Sequence, residues 1–99
     1  MSLTFAHRQA TSSELRANLA LSGLTPATVE RELGLSHEQF ETLIDMTMQA
    51  KPHEVWLLRD FLELAVREAG REPAPYSVLT PEMREAARRW FSRSRRPGG

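Results

Sequence analysis

Ninety-nine residues, 40% apolar and 26% charged, suit one small soluble globule and argue against a disordered chain. Acidic and basic residues balance at 13 each, and the absence of cysteine excludes disulfides, thiolate metal sites and a cysteine nucleophile. No apolar run approaches the ~20 residues that span a bilayer, and MSLTFAHRQA lacks the basic start and apolar middle of a signal peptide. The expectation is a cytoplasmic chain with no membrane association. A chain this short has limited surface to bury, so dimerisation would help it.

Residues 1–10 read two ways. Thr4 can cap a helical turn that runs into the next helix, or the stretch is an N-terminal arm with Leu3 and Phe5 tucked against the core. The first clear helix signal is the T-x-x-E capping box of Thr11 and Glu14, followed by Leu15 and Leu19 on one face and Gly23 as terminator. Thr25 caps a second helix, with Pro26 at its first position and Val29 and Leu33 facing inward. Gly34 ends that helix. Ser36 and Gln39 form an S-x-x-Q box for a third, which buries Phe40, Leu43 and Ile44. The connector DMTMQAK carries Met46 and Met48, residues suited to filling core gaps or lining an interface.

Residues 52–69, PHEVWLLRDFLELAVREA, predict the longest and most apolar helix. Its apolar residues cover more than a narrow stripe, so it is either central to the core or shared with a second copy of the chain. Glu63 and Arg67 are spaced to pair on its wet face. Pro73 and Pro75 break any helix in REPAPYSVL, leaving Tyr76, Val78 and Leu79 to lie extended on the core. Thr80, Pro81 and Glu82 start a last helix with Met83, Ala87, Trp90 and Phe91 on one side and arginine on the other. The expected organisation is all-α, four to five helices, with a helical domain over 11–93 and a flexible basic tail over 94–99.

Charge is unevenly spread. Residues 26–45 carry Glu30, Glu32, Glu38, Glu41 and Asp45 against Arg31, a net of −4. Residues 81–99 carry Arg84, Arg88, Arg89, Arg93, Arg95 and Arg96 against Glu82 and Glu85, a net of +4. One expectation from this asymmetry is that the basic helix docks on the acidic stretch, within one chain or between two.

Counted from Pro26, a helix-turn-helix needs inward apolar residues at its fourth, eighth, fifteenth and eighteenth positions and a left-handed turn residue at its ninth. Val29, Leu33, Phe40, Leu43 and Gly34 supply them, with Leu35 after the glycine. The stretch resembles the helix-turn-helix of phage-repressor-like regulators over about twenty residues. It departs at the fifth position, where close helix crossing favours alanine and this chain has Glu30. Either the crossing is looser or the Glu30 side chain bends out to solvent. The whole chain, through SLT, SELRANLALSGLTPATVERELGLS and WLLRDFLELAVREAGREPAPYSVL, also resembles a family of small uncharacterised bacterial proteins with a helix-turn-helix core. That resemblance implies a compact bacterial domain and no particular activity.

The repressor resemblance implies that Ser36, His37, Gln39 and Thr42 face duplex DNA, with Arg84, Arg88, Arg89 and Arg93 available to phosphates. The chemistry of the third helix opposes this, since Glu38, Glu41 and Asp45 stand there without lysine or arginine. The competing expectation is a non-catalytic protein-interaction or structural module that reuses the same scaffold without binding DNA. His7, His37 and His53 fall in different elements without metal-ligand spacing and read as surface or cap residues, so no metal or cofactor is expected. No phosphate loop, nucleophile elbow or other catalytic constellation is visible, and the chain is not expected to be an enzyme. Trp56, Phe61 and Trp90 read as core before they read as a ligand pocket. A homodimer through Trp56, Leu57 or Leu64 is expected.

Overall fold

The computed structural model describes residues 4–86 of the chain. The fold is all-α: α1 (Phe5–Ser22), α2 (Pro26–Leu33), α3 (His37–Ile44) and α4 (Pro52–Glu68), followed by an extended stretch and a fifth helical segment, α5, over 81–86. No helix among the described residues is long and apolar enough to cross a membrane.

α1 begins at Phe5, which corrects the arm reading of residues 1–10. Thr4 is extended and its hydroxyl accepts the His7 N–H, so the cap lies seven residues before Thr11. Nothing between Phe5 and Thr11 breaks a helix, and no glycine or proline interrupts FAHRQAT. Thr11 and Glu14 form no capping box. The buried Thr11 hydroxyl donates back to the His7 carbonyl at 2.9 Å, and Glu14 reaches across to Ser77.

The caps from Gly23 onward form as the residue types dictate. Thr25 accepts from the Thr28 N–H, and Ser36 with Gln39 makes the reciprocal box. Gly34 sits at φ 68°, a left-handed conformation that closes α2 and turns the chain into α3 within three residues.

The core is one cluster. Leu15 of α1, Val29 of α2, Phe40, Leu43 and Ile44 of α3, and Val55, Leu58 and Leu62 of α4 are buried together with Met46 and Leu79. α1 and α4 pack against each other, and α3 contacts both. α4 buries a single stripe of Val55, Leu58, Arg59, Leu62 and Val66, while Leu57 and Leu64 stay outside. Met46 enters the core, and Met48 is 80% exposed. Trp56, Phe61 and Tyr76 are half-buried against the cluster's edge.

Two polar residues hold the stretch after α4. Asn18, fully buried on α1, both accepts the Ala74 N–H at 2.8 Å and donates to the Ala74 carbonyl at 3.1 Å. Arg59, buried on α4, donates through Nε to the Leu79 carbonyl at 2.9 Å. Its guanidinium lies 4.6 Å from the Tyr76 ring centre and 5.6 Å from that of Trp56. It also meets Asp60 and Glu63, so Glu63 pairs with Arg59 rather than with Arg67 as its spacing first suggested. A buried cation attracts the carboxylate one turn away more strongly than an exposed one does.

Candidate recognition surface on the second and third helices

The exposed side of α3 is set by its buried side. Phe40, Leu43 and Ile44 face the core, which leaves Ser36, His37, Glu38 and Gln39 outside at the start of the helix, with Glu41 and Thr42 partly outside beyond them. The candidate reading residues Ser36, His37, Gln39 and Thr42 are thus all on the surface, but they do not form one free set.

Ser36 and Gln39 are engaged with backbone. The Ser36 hydroxyl accepts the Gln39 N–H at 3.0 Å, and the Gln39 side-chain oxygen accepts the Ser36 N–H at 2.8 Å. His37 is engaged with two carboxylates. Its Nδ1 lies 2.9 Å from Glu30 of α2 and its Nε2 lies 3.4 Å from Glu41 of α3. Glu30 therefore does not project into water. Its side chain is only 16% exposed, leaning across the turn to His37.

The Glu30 hydrogen bond and charge, with a smaller contribution from Glu41, raise the His37 pKa above the ordinary histidine value. A raised folded-state value means that protonated His37 stabilises the α2–α3 pair. That contribution is fully present below about pH 6.5, the unfolded value, and is lost as pH rises through the higher folded value. An NMR titration of the His37 ring is expected to give a midpoint above that of a free histidine. Glu30→Gln should move it back down, and Glu41→Gln should move it less.

Beside this clamp, Ser36, Glu38, Gln39 and Thr42 form one wall of an open cleft of about 300 Å³, with Gln49, Lys51 and Glu54 opposite. Lys51 is the cleft's one cation. α3 itself contributes none. Asp45, at the end of α3, is paired with Arg16 of α1. Glu32 and Glu38 have no ion-pair partner among the described residues. The surface is acidic, and its histidine is already committed to two carboxylates.

Arg84 does not join this surface. It pairs with Asp60 of α4 and lies 4.7 Å from the Trp56 ring centre, so it docks on α4 and not on the acidic stretch. Opposite charge alone does not choose between two acidic sites. The flat face of Trp56 beside Asp60 adds a cation–π contact that the α2–α3 carboxylates lack. Arg88, Arg89 and Arg93, with Trp90, Phe91 and the tail at 94–99, lie outside the described residues. Among the described residues, no group of three or more histidine, aspartate or glutamate side chains is placed to hold a metal ion.

The model of the DUF2316 family, an uncharacterized protein conserved in bacteria, matches residues 1–93. The chain belongs to that family. The DUF2316 match spans all the described helices, so the α2–α3 surface and the clasped stretch after α4 both fall inside it. No curated protein and no solved structure matches the chain.

Proposed function

We propose that this chain is a non-catalytic recognition module whose α2–α3 unit engages a basic protein segment. The charge of the exposed α3 face carries this reading. Glu38 and Glu41 stand on it, and HEQFETLI contains no lysine or arginine; Glu32 is exposed on the preceding helix. Polyanionic DNA is repelled by such a face, since binding rests on cationic contacts to phosphate. Lysine and arginine side chains of a protein partner are attracted to it and gain charge-assisted hydrogen bonds. The engagement of Ser36, Gln39 and His37 within the fold points the same way. The Ser36 hydroxyl, the Gln39 side-chain oxygen and His37 already have partners, leaving Glu38 as the α3 carboxylate without an ion-pair partner among the described residues.

A second reading is a helix-turn-helix DNA-binding regulator of phage-repressor build. It is favoured by the short left-handed turn at Gly34 between two eight-residue helices with an exposed second helix. Arg84, Arg88, Arg89 and Arg93 would then supply the phosphate contacts while Ser36, His37, Gln39 and Thr42 face the groove.

One titration separates the two. An oligo-arginine peptide and a mixed-sequence DNA duplex are added in turn to the isotope-labelled full chain at low and at physiological salt. The first reading expects the peptide to shift the amides of α3 and the duplex to leave them unmoved. Duplex binding that weakens steeply with salt and disappears in the Arg84→Ala, Arg88→Ala, Arg89→Ala triple variant would establish the second reading instead.

A further inference from the structure

The outer face of α4 carries an apolar stripe that the fold does not use. Leu57 is 51% exposed and Leu64 is 57% exposed, with half-buried Phe61 between them. These three fall at i, i+4 and i+7, so they line one side of the helix. His53 lies four residues before Leu57 and Glu68 four residues after Leu64, and both are exposed on that same side. The stripe is therefore symmetric about its middle in its apolar residues and opposite in its polar ends.

We propose that a second copy of this chain docks antiparallel along this face, about a two-fold axis beside Phe61, with Leu57 against the partner subunit's Leu64. The pattern of the stripe selects the occupant. An antiparallel copy in this register sets each leucine against the other leucine, with Phe61 of each copy beside the axis. The same register sets His53 and Glu54 of one copy beside the partner's Arg67 and the partner's Glu68, so each end brings cationic and anionic groups together. A parallel copy would instead stack Glu54 on the partner's Glu54 and Glu68 on the partner's Glu68. Antiparallel packing also aligns the two helix dipoles favourably.

Asp60 sits next to the axis, where two copies bring like charges together. Arg84 and Arg59 already pair with it in each chain, so the centre of the interface is neutralised before the copies meet. The two-fold contact is isologous and closes at two copies. α4 is 17 residues long, about 25 Å at 1.5 Å per residue, so a single helix pair makes a contact at the small end of specific interfaces. A concentration-dependent dimer in the micromolar range follows. This inference concerns α4, and Glu54 is the residue that its interface shares with the cleft beside α3.

The chain's lack of cysteine makes the register directly testable. In the full chain, Leu57→Cys combined with Leu64→Cys is expected to form a disulfide-linked dimer under mild oxidant. Leu57→Cys alone is expected to form none, because in this register two copies of residue 57 lie about 10 Å apart along the axis, beyond disulfide reach. Sedimentation should show a wild-type dimer that Leu57→Glu weakens by at least about 30-fold with helicity unchanged. A wild-type chain that stays monomeric to several hundred micromolar, as it would if its own residues 87–99 covered the stripe, would overturn the proposal. So would a dimer that Leu57→Glu leaves intact, or ready cross-linking by Leu57→Cys alone.

Discussion

Asn18→Ala is expected to destabilise the fold by about 3 kcal/mol, one of the two largest single effects we anticipate. Asn18 is fully buried, and it serves as a one-residue strand partner for the stretch after α4. Its amide oxygen takes the Ala74 N–H and its amide nitrogen gives to the Ala74 carbonyl, while also bonding the Glu14 carbonyl one turn back. Alanine leaves both Ala74 groups without partners in a half-buried place, at about 1–3 kcal/mol each with the lower value apt where water can enter. A chain of this size has a total stability of roughly 5–15 kcal/mol, so the loss is a large fraction. The melting temperature should fall by about 15 °C. Asn18→Asp is the sharper variant. It keeps an acceptor for the Ala74 N–H but aims a second oxygen at two carbonyl oxygens, and it should be no better than alanine. Hydrogen exchange separates this from general loosening. The Ala74 amide should lose protection before the amides of α4 do. An Asn18→Ala protein that melts within about 3 °C of wild type would show that the stretch is held by other means, chiefly the burial of Val78 and Leu79.

The contrast with what the sequence discloses is instructive. Helices α2, α3 and α4 were legible because each carries local punctuation. Thr25–Pro26, Gly34, the Ser36–Gln39 box, Pro52 and Gly70 act on their immediate neighbours, and the apolar spacing between them repeats with the helix. The start of α1 was less legible because two caps compete. Thr4 and Thr11 both precede helix-forming residues, and the box at Thr11 looks stronger than the lone cap at Thr4. Helix continuity decides between them, since a six-residue gap with no breaker costs less as helix than as loop. The polar clasps were not legible. Asn18 sits on a stripe of Thr11, Leu15, Asn18 and Ser22 that is mostly polar, and its partner Ala74 is 56 residues away. The carboxylates of α3 could be read directly, but His37 as a bridge from α2 to α3 could not. Its two partners sit at i−7 and i+4, and only the turn at Gly34 brings the first into reach. One clue was present. A glutamate stands where close crossing favours alanine, and a long polar side chain there needs a polar partner nearby.

Arg59→Met is expected to cost about 3 kcal/mol, and Arg59→Lys about half of that. The arginine sits at the middle of α4's buried stripe, where a leucine or valine would satisfy the helical pattern equally well. It is kept from being a buried-charge liability by five different contacts. Nε reaches the Leu79 carbonyl, one terminal nitrogen, Nη1, reaches both Asp60 and Glu63, and the guanidinium lies over Tyr76 and near Trp56. Methionine keeps most of the packing of the stem but orphans the Leu79 carbonyl, in a residue only 5% exposed, and removes the cation from between two rings. Breaking a buried pair costs about 3–5 kcal/mol in general, and the lower figure applies here because Asp60 and Glu63 stay partly hydrated. Lysine keeps the charge for the carboxylates and one ring but has no second donor fixed toward Leu79. Tyr76→Phe serves as the control. The buried Tyr76 hydroxyl lies near the Asn18 amide, whose N–H groups are given to the Glu14 and Ala74 carbonyls, so it makes no hydrogen bond of its own and removing it should leave stability unchanged or slightly raised while the ring under Arg59 stays in place. Denaturant melts of the three variants test the ordering. If Arg59→Lys proved as harmful as Arg59→Met, the geometry of the guanidinium would outweigh its charge. If Tyr76→Phe proved as harmful as either, the hydroxyl would be holding a water that the cluster needs. The cluster also ties the site together physically. Arg59 fixes Leu79, Leu79 seats the start of α5, and α5 delivers Arg84 to Asp60. Arg59→Met should therefore release Asp60 from its second cation as well as its first, and weaken self-association together with stability.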